Sequence, residues 1–140
     1  MTETAPSPPF VAAVAAVVVR GDTLLALRRS THKDAGAGLW ETLSGRIEVD
    51  EEPLAAVRRE ILEETGLNVE VDPRPLTAYA ARRLERPMVV IVYRARHLAG
   101  EVRLSDEHDA FAWLTPEAFA ERSSLTKLVL AARLALPDTP

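Results

Sequence analysis

The sequence predicts an α/β or α+β sandwich, a layered fold in which helices cover a sheet. Runs rich in Val, Ala and Ile recur along the chain, bounded by Gly, Pro and Asp, and read as strands. One stretch in the middle carries helix signals at both ends, and further helical segments follow near the C-terminus. The length of 140 residues suits a single domain large enough to bury a core without disulfides.

Met1 to Pro9 holds three of the ten prolines and reads as a tail, as does the closing stretch 137–140. The domain proper is then 10–136. Phe10 to Arg20, dominated by Val and Ala, is expected to be a buried central strand. It is too short to span a bilayer, which takes roughly 20 residues. No Lys or Arg precedes it and Glu3 does, so it lacks the positive start of a secretory signal. Gly21-Asp22 is a turn and Thr23 to Arg29 a second strand, together a hairpin. Ser30 to Gly38, polar with two glycines, is a loop, and Trp40 to Val49 is extended. Pro53 to Thr65 is the clearest helix. Pro53 suits the first helical position, Asp50, Glu51 and Glu52 lie at the positive end of the dipole, and Gly66 is a stop. Strands are expected at Leu67 to Val71, Leu76 to Leu84, Met88 to Arg96 and Ala110 to Leu114. Thr115 caps a short helical turn through Ala120, and a last helix covers about Ser124 to Leu136.

Composition narrows the function. There is no cysteine, which excludes disulfides, thiolate metal sites and cysteine nucleophiles, and is compatible with a reducing, cytoplasmic setting. The net charge of −4 and the acidic pI argue against nucleic acid as a general partner, and no run suggests a membrane.

The chemistry concentrates in Gly45 to Leu67, read as G-R-I-E-V-D-E-E-P-L-A-A-V-R-R-E-I-L-E-E-T-G-L. At ~100° per residue, Leu54, Val57 and Ile61 share one side of the helix and form its core face. Glu60, Glu63 and Glu64 fall in a sector beside it. They stand at the border of the buried face, within a turn of one another and at the negative end of the helix dipole. A sequence written for stability alone would place Lys or Arg there, and such local rule-breaking marks a functional site. A divalent cation resolves the conflict, because clustered carboxylates form a hard oxygen site suited to Mg²⁺ or Mn²⁺. Such an ion neutralises a diphosphate and helps deprotonate an attacking water.

The same stretch resembles the Nudix box, G-x5-E-x7-R-E-U-x-E-E-x-G-U with U aliphatic. Gly45, Glu51, Arg59, Glu60, Ile61, Glu63, Glu64, Gly66 and Leu67 fill every fixed position. The flanking Gly38-Leu39-Trp40 and Trp113-Leu114 look like those of Nudix hydrolases. The resemblance implies an α/β/α sandwich with a mixed sheet and the box as a loop-helix-loop. It implies that Glu60, Glu63 and Glu64 bind the cation with help from the Gly45 carbonyl, that Arg59 orients the glutamates, and that Glu51 is mainly structural. Glu107 is the candidate for an additional acidic ligand or base. The chain departs from the common pattern in having Leu43-Ser44 before the box glycine and Asp50 before the first box glutamate. Asp tolerates left-handed backbone better than most residues, so the loop is expected to keep its shape.

Outside the box, Trp40 and Arg82 are candidate substrate contacts, stacking on a base and meeting a phosphate; partly buried packing and a solvated strand end explain them as well. Arg83 and Arg86 extend the basic patch. His32 and Lys33 sit in the loop before Trp40. His97 and His108 read as structural or surface residues. The implied activity is hydrolysis of a phosphoanhydride bond in a nucleoside diphosphate derivative, with a nucleoside triphosphate and a nucleotide sugar both open. A non-catalytic nucleotide-binding module is the alternative, but such modules tend to lose box glutamates. Isopentenyl-diphosphate isomerisation, on a related fold, needs a cysteine. Removal of caps from RNA ends fits poorly with the acidic charge. Tyr79 and Pro87 stand out of place for the residues that mark diadenosine-polyphosphate and ADP-ribose cleavers. A homodimer is compatible with the resemblance.

Overall fold

The computed structural model describes residues 9–31 and 36–137. The two predicted tails, apart from residues 9 and 137, lie outside the described residues, as do His32 and Lys33.

Among the described residues eight strands and three helices follow in order. The strands are β1 (Val11–Arg20), β2 (Thr23–Arg29), β3 (Trp40–Glu41), β4 (Leu43–Arg46), β5 (Asn68–Val71), β6 (Thr77–Arg83), β7 (Arg86–Ala99) and β8 (His108–Leu114). The helices are α1 (Pro53–Thr65), α2 (Pro116–Arg122) and α3 (Thr126–Ala135). The strands form one mixed sheet. β1 and β7 run parallel over nine paired residues from Val11–Met88 to Val19–Arg96, while every other pairing is antiparallel.

Alternation along β1 builds the layers, because successive side chains of a strand point to opposite faces. Ala13, Ala15, Val17 and Val19 pack with Phe119, Leu128, Ala131 and Ala132 from α2 and α3. Val14, Ala16 and Val18 pack with Ala56, Val57 and Ile61 from α1. The result is the α/β/α sandwich, with β1 buried on both faces.

Helix α1 has the predicted bounds. Pro53 opens it, and Gly66 closes it at φ 69° with its N–H donating to the Leu62 carbonyl. The acidic residues lie just before it, as expected, with Glu51 in a structural part. Its first turn holds no acidic residue, and the N-cap Glu52 makes no side-chain cap bond. Glu51 instead accepts from the Glu48 N–H at 3.0 Å, closing the preceding loop on itself. In that loop Asp50 adopts φ 64°, the left-handed conformation its side chain tolerates. The extended segment Trp40 to Val49 divides at the buried Thr42. Before it the chain pairs with β2 and after it with β1. That switch of partner brings Gly45 to the end of α1. Thr115 caps α2 as expected, accepting from the Ala118 N–H at 3.2 Å.

Candidate active site

A cleft of about 520 Å³ opens at the first half of β1, between the end of α1, the loop before β8 and the β6–β7 hairpin. Its walls differ in chemistry. One carries the carboxylates Glu41, Glu60, Glu64 and Glu107. A second is apolar, with Val11, Ala13, Met88, Val90 and Leu128. Arg82 and Arg83 come from the hairpin opposite.

The helix places its glutamates unequally. Glu60 and Glu64 are buried, while the Glu63 side chain is 58 % exposed. Glu60 and Glu64 line the cleft and Glu63 does not. Burial pushes the Glu60 carboxyl above its usual range; Arg59 opposes that shift, and the charges of Glu63 and Glu107 add to it.

Arg59 is the hub that holds the box together. Its Nε and Nη2 donate to both oxygens of Glu51 at 2.9 and 3.0 Å. Nη1 donates to Glu60 at 2.8 Å and, more weakly, to Glu63 at 3.4 Å. Nη2 also donates to the Arg46 carbonyl at 3.0 Å, which ties the helix to the end of β4. The planar fork allows this many partners; an ammonium would not. The Arg59 guanidinium and the Glu48 N–H hold the Glu51 carboxyl down to about 2. Glu51 is thus part of the scaffold of the loop.

Gly45 is required by contact rather than by conformation. A Cβ on it would lie 2.1 Å from Glu60 Cδ. Only hydrogen leaves room for the carboxylate to cross the strand at that point.

Glu107 joins the wall from the loop before β8. Its carbonyl accepts from the Ser30 N–H at 3.0 Å and its own N–H donates to Ser105 Oγ at 3.2 Å. Arg82 lines the cleft and donates through Nη1 to the Glu85 carbonyl at 3.1 Å, while Arg86 lies outside the cleft lining. Trp40 is not among the cleft-lining residues either. It packs against the α2–α3 side of the core, with the Arg122 guanidinium 5.1 Å over its ring and Ser123 Oγ donating to its carbonyl at 2.7 Å.

Two residues of the cleft, His108 and Glu41, were not among the expected site residues. His108 is 5 % exposed, with Nε2 2.9 Å from Glu41 Oε2 and Nδ1 3.5 Å from Glu64 Oε2. It is structural in placement, as read, but it stands at the cleft rather than on the surface. Glu41 read only as part of an extended run. The one available signal was a charged residue beside Trp40 in a segment with buried neighbours. His97 matches its reading, bonded to the Gly100 carbonyl at 2.8 Å and packed on Trp113.

Carboxylate and carbonyl oxygens make a donor set for a hard divalent cation. Glu60, Glu64 and Glu107 line the cleft together with Gly45, and the missing Cβ at Gly45 makes the room that the Glu60 carboxylate takes. Among the described residues no three carboxylates or histidines already converge as a finished cage. Mg²⁺ is a hard divalent cation of that kind, and it usually keeps several waters and shares substrate phosphates.

The chain matches the family model of the NUDIX domain over residues 9–137. It is 43% identical over 120 residues to a MutT-like protein of Streptomyces ambofaciens, covering 84% of this chain and 73% of that one. It is 32% identical over 111 residues to the CTP pyrophosphohydrolase of Escherichia coli (strain K12), covering 77% of this chain and 78% of that one. The crystal structure of the MutT protein from Methanosarcina mazei Go1 shares the fold. It has a TM-score of 0.80 at 24% identity and covers 92% of this chain and 94% of that one.

Proposed function

The chain belongs to the Nudix family and is a Nudix pyrophosphohydrolase, and from that premise we propose that its substrate is a nucleoside triphosphate, cut to a nucleoside monophosphate and pyrophosphate with the help of Mg²⁺. The observation that carries this reading is the division of one cleft into a carboxylate wall, an apolar wall and a basic hairpin. A triphosphate needs the first and last, and a base and ribose need the second. The volume of about 520 Å³ lies within the usual range of small-molecule sites. The named activity of the E. coli relative on CTP supports the same class.

Glu60, Glu64, Glu107 and the Gly45 carbonyl would hold the cation. Glu63, exposed and bonded to Arg59, is the least committed member of the set. When bound, a divalent ion supplies charge neutralisation for the phosphates and activation of the attacking water. Arg59 holds Glu60 in place through a 2.8 Å bond, so that the carboxylate wall is formed before substrate arrives. Arg82 and Arg83 meet the phosphates from the other side. Water adds to a phosphorus as the anhydride P–O bond breaks. Its proton passes to a carboxylate of the wall, either a box glutamate or Glu107, and the pyrophosphate leaves with the bond electrons. Mn²⁺ is expected to substitute for Mg²⁺.

The test is ³¹P NMR of product formation in ¹⁸O-water. It uses ordinary and oxidised nucleoside triphosphates, ADP-ribose, nucleotide sugars and dinucleoside polyphosphates, with and without Mg²⁺. Cation-dependent release of pyrophosphate from a triphosphate, ahead of the other substrates, is expected. Faster cleavage of ADP-ribose or a nucleotide sugar would overturn the substrate class.

A further inference from the structure

Along the carboxylate wall three ionisable side chains stand in a buried row, and all three line the cleft. Glu41 comes from β3, His108 from the start of β8 and Glu64 from the last turn of α1. They are 7 %, 5 % and 6 % exposed. Each nitrogen of the His108 ring faces one carboxylate, Nε2 at 2.9 Å from Glu41 Oε2 and Nδ1 at 3.5 Å from Glu64 Oε2. The outer end of the row is anchored. Arg29 Nη1 donates to the same Glu41 oxygen at 3.2 Å, and Arg29 is paired with His108 across β2 and β8. The other end is Glu64, the glutamate read above as a cation ligand.

Stability alone gives little reason for this row. Burying polar groups is costly unless every partner is supplied. Apolar residues of similar volume commonly replace a buried ionic set with no loss of stability. The ring is a rigid planar group beside the Glu64 carboxylate, and its own orientation is fixed by Glu41, which Arg29 holds in turn.

We propose that Glu41 and His108 are positioning residues for Glu64: the imidazole, fixed by Glu41 and Arg29, backs the Glu64 carboxylate and sets the direction in which it faces the cleft. They act through Glu64. The inference rests on the reading of Glu64 as a cation ligand. Outer partners of this kind fix ligand geometry and commonly change cation affinity 10–100-fold when removed.

The test measures binding of Mn²⁺ alone to the full chain, by the loss of the free-ion electron paramagnetic resonance signal. The proteins are the native chain, His108→Gln, Glu41→Gln, Glu64→Gln and the double variant His108→Gln/Glu64→Gln. Thermal unfolding of each reports on folding. Glutamine at 108 reaches towards Glu41 where Nε2 does but offers nothing at the Nδ1 position. Expected are a loss of affinity of about tenfold for His108→Gln, a smaller loss for Glu41→Gln, and a loss at least as large as the first for Glu64→Gln. The double variant is expected to bind no more weakly than Glu64→Gln, because the ring acts only through that carboxylate. Should His108→Gln not fold, the isosteric Glu41→Gln carries the test. Native affinity in both His108→Gln and Glu41→Gln, with a loss in Glu64→Gln, overturns the positioning role and leaves the cation site standing. Additive losses in the double variant overturn it too, since they mark a general structural defect. Native affinity in Glu64→Gln removes the cation-ligand reading and this inference together.

Discussion

The side-chain hydrogen of Gly45 is the smallest group in the site and one of the most constrained. Its replacement in Gly45→Ala puts a methyl 2.1 Å from the Glu60 carboxyl carbon. The carboxylate is the free end of a side chain and can swing away, so the fold should survive with a small fall in Tm. The site should not, because a displacement of about 1 Å can cost on the order of 10²-fold in rate. Steady-state turnover and thermal unfolding on the same preparation check this. Turnover within a few fold of the native chain would show that Glu60 need not stand where it does. At this scale the sequence was most informative where chemistry forced unusual choices. Clustered glutamates at the negative end of α1 announced the site. Glu41 and His108 stayed hidden because they are separated by 67 positions and joined only in space. A lone histidine or glutamate carries no such signal until the strands that hold it are paired.

Local signals made α1 readable at the scale of the element. Pro53 and Gly66 act on their own backbone, so the helix bounds were visible without tertiary structure. The strands were less so, since pairing sets their ends. β7 runs from Arg86 to Ala99, well beyond the expected Met88 to Arg96, because it pairs with β1, β5 and β6 in different stretches. The break at Thr42 likewise comes from a change of partner. Helix termination offers a clean test. Gly66 has φ 69°, and a Cβ there would meet Arg103 Nε at an ordinary 3.5 Å. Gly66→Ala should therefore cost the left-handed backbone conformation alone, about 1–2 kcal/mol, seen as a Tm lower by a few degrees. An unchanged Tm would mean that the terminus relaxes into another conformation.

Across the whole molecule, β1 sorts its side chains between two helical layers, and its alternation of Val and Ala was legible only as a buried run. Which layer each residue serves depends on α1 lying on one face and α3 on the other. Arg59 ties the loop before α1 to the helix and to the end of β4, and this gives global stability a defined pH dependence. Glu51 is held at about 2, below its ordinary 4.5. A depressed acid stabilises the fold fully above its unfolded value and loses that contribution as pH falls towards the folded one. The stability gap between the native chain and Glu51→Gln should be constant from neutral pH to about 5 and close on further acidification. A gap that widens in acid would contradict the Arg59–Glu51 pairing. The central claim is that the carboxylate wall hydrolyses a nucleoside triphosphate with a divalent cation. Its most direct test is pyrophosphate release from CTP by the native chain and by Glu64→Gln across a Mg²⁺ titration. The account predicts turnover that requires Mg²⁺ and falls by about 10²-fold or more in Glu64→Gln. Turnover that persists undiminished in the variant, or proceeds equally without the cation, would contradict it.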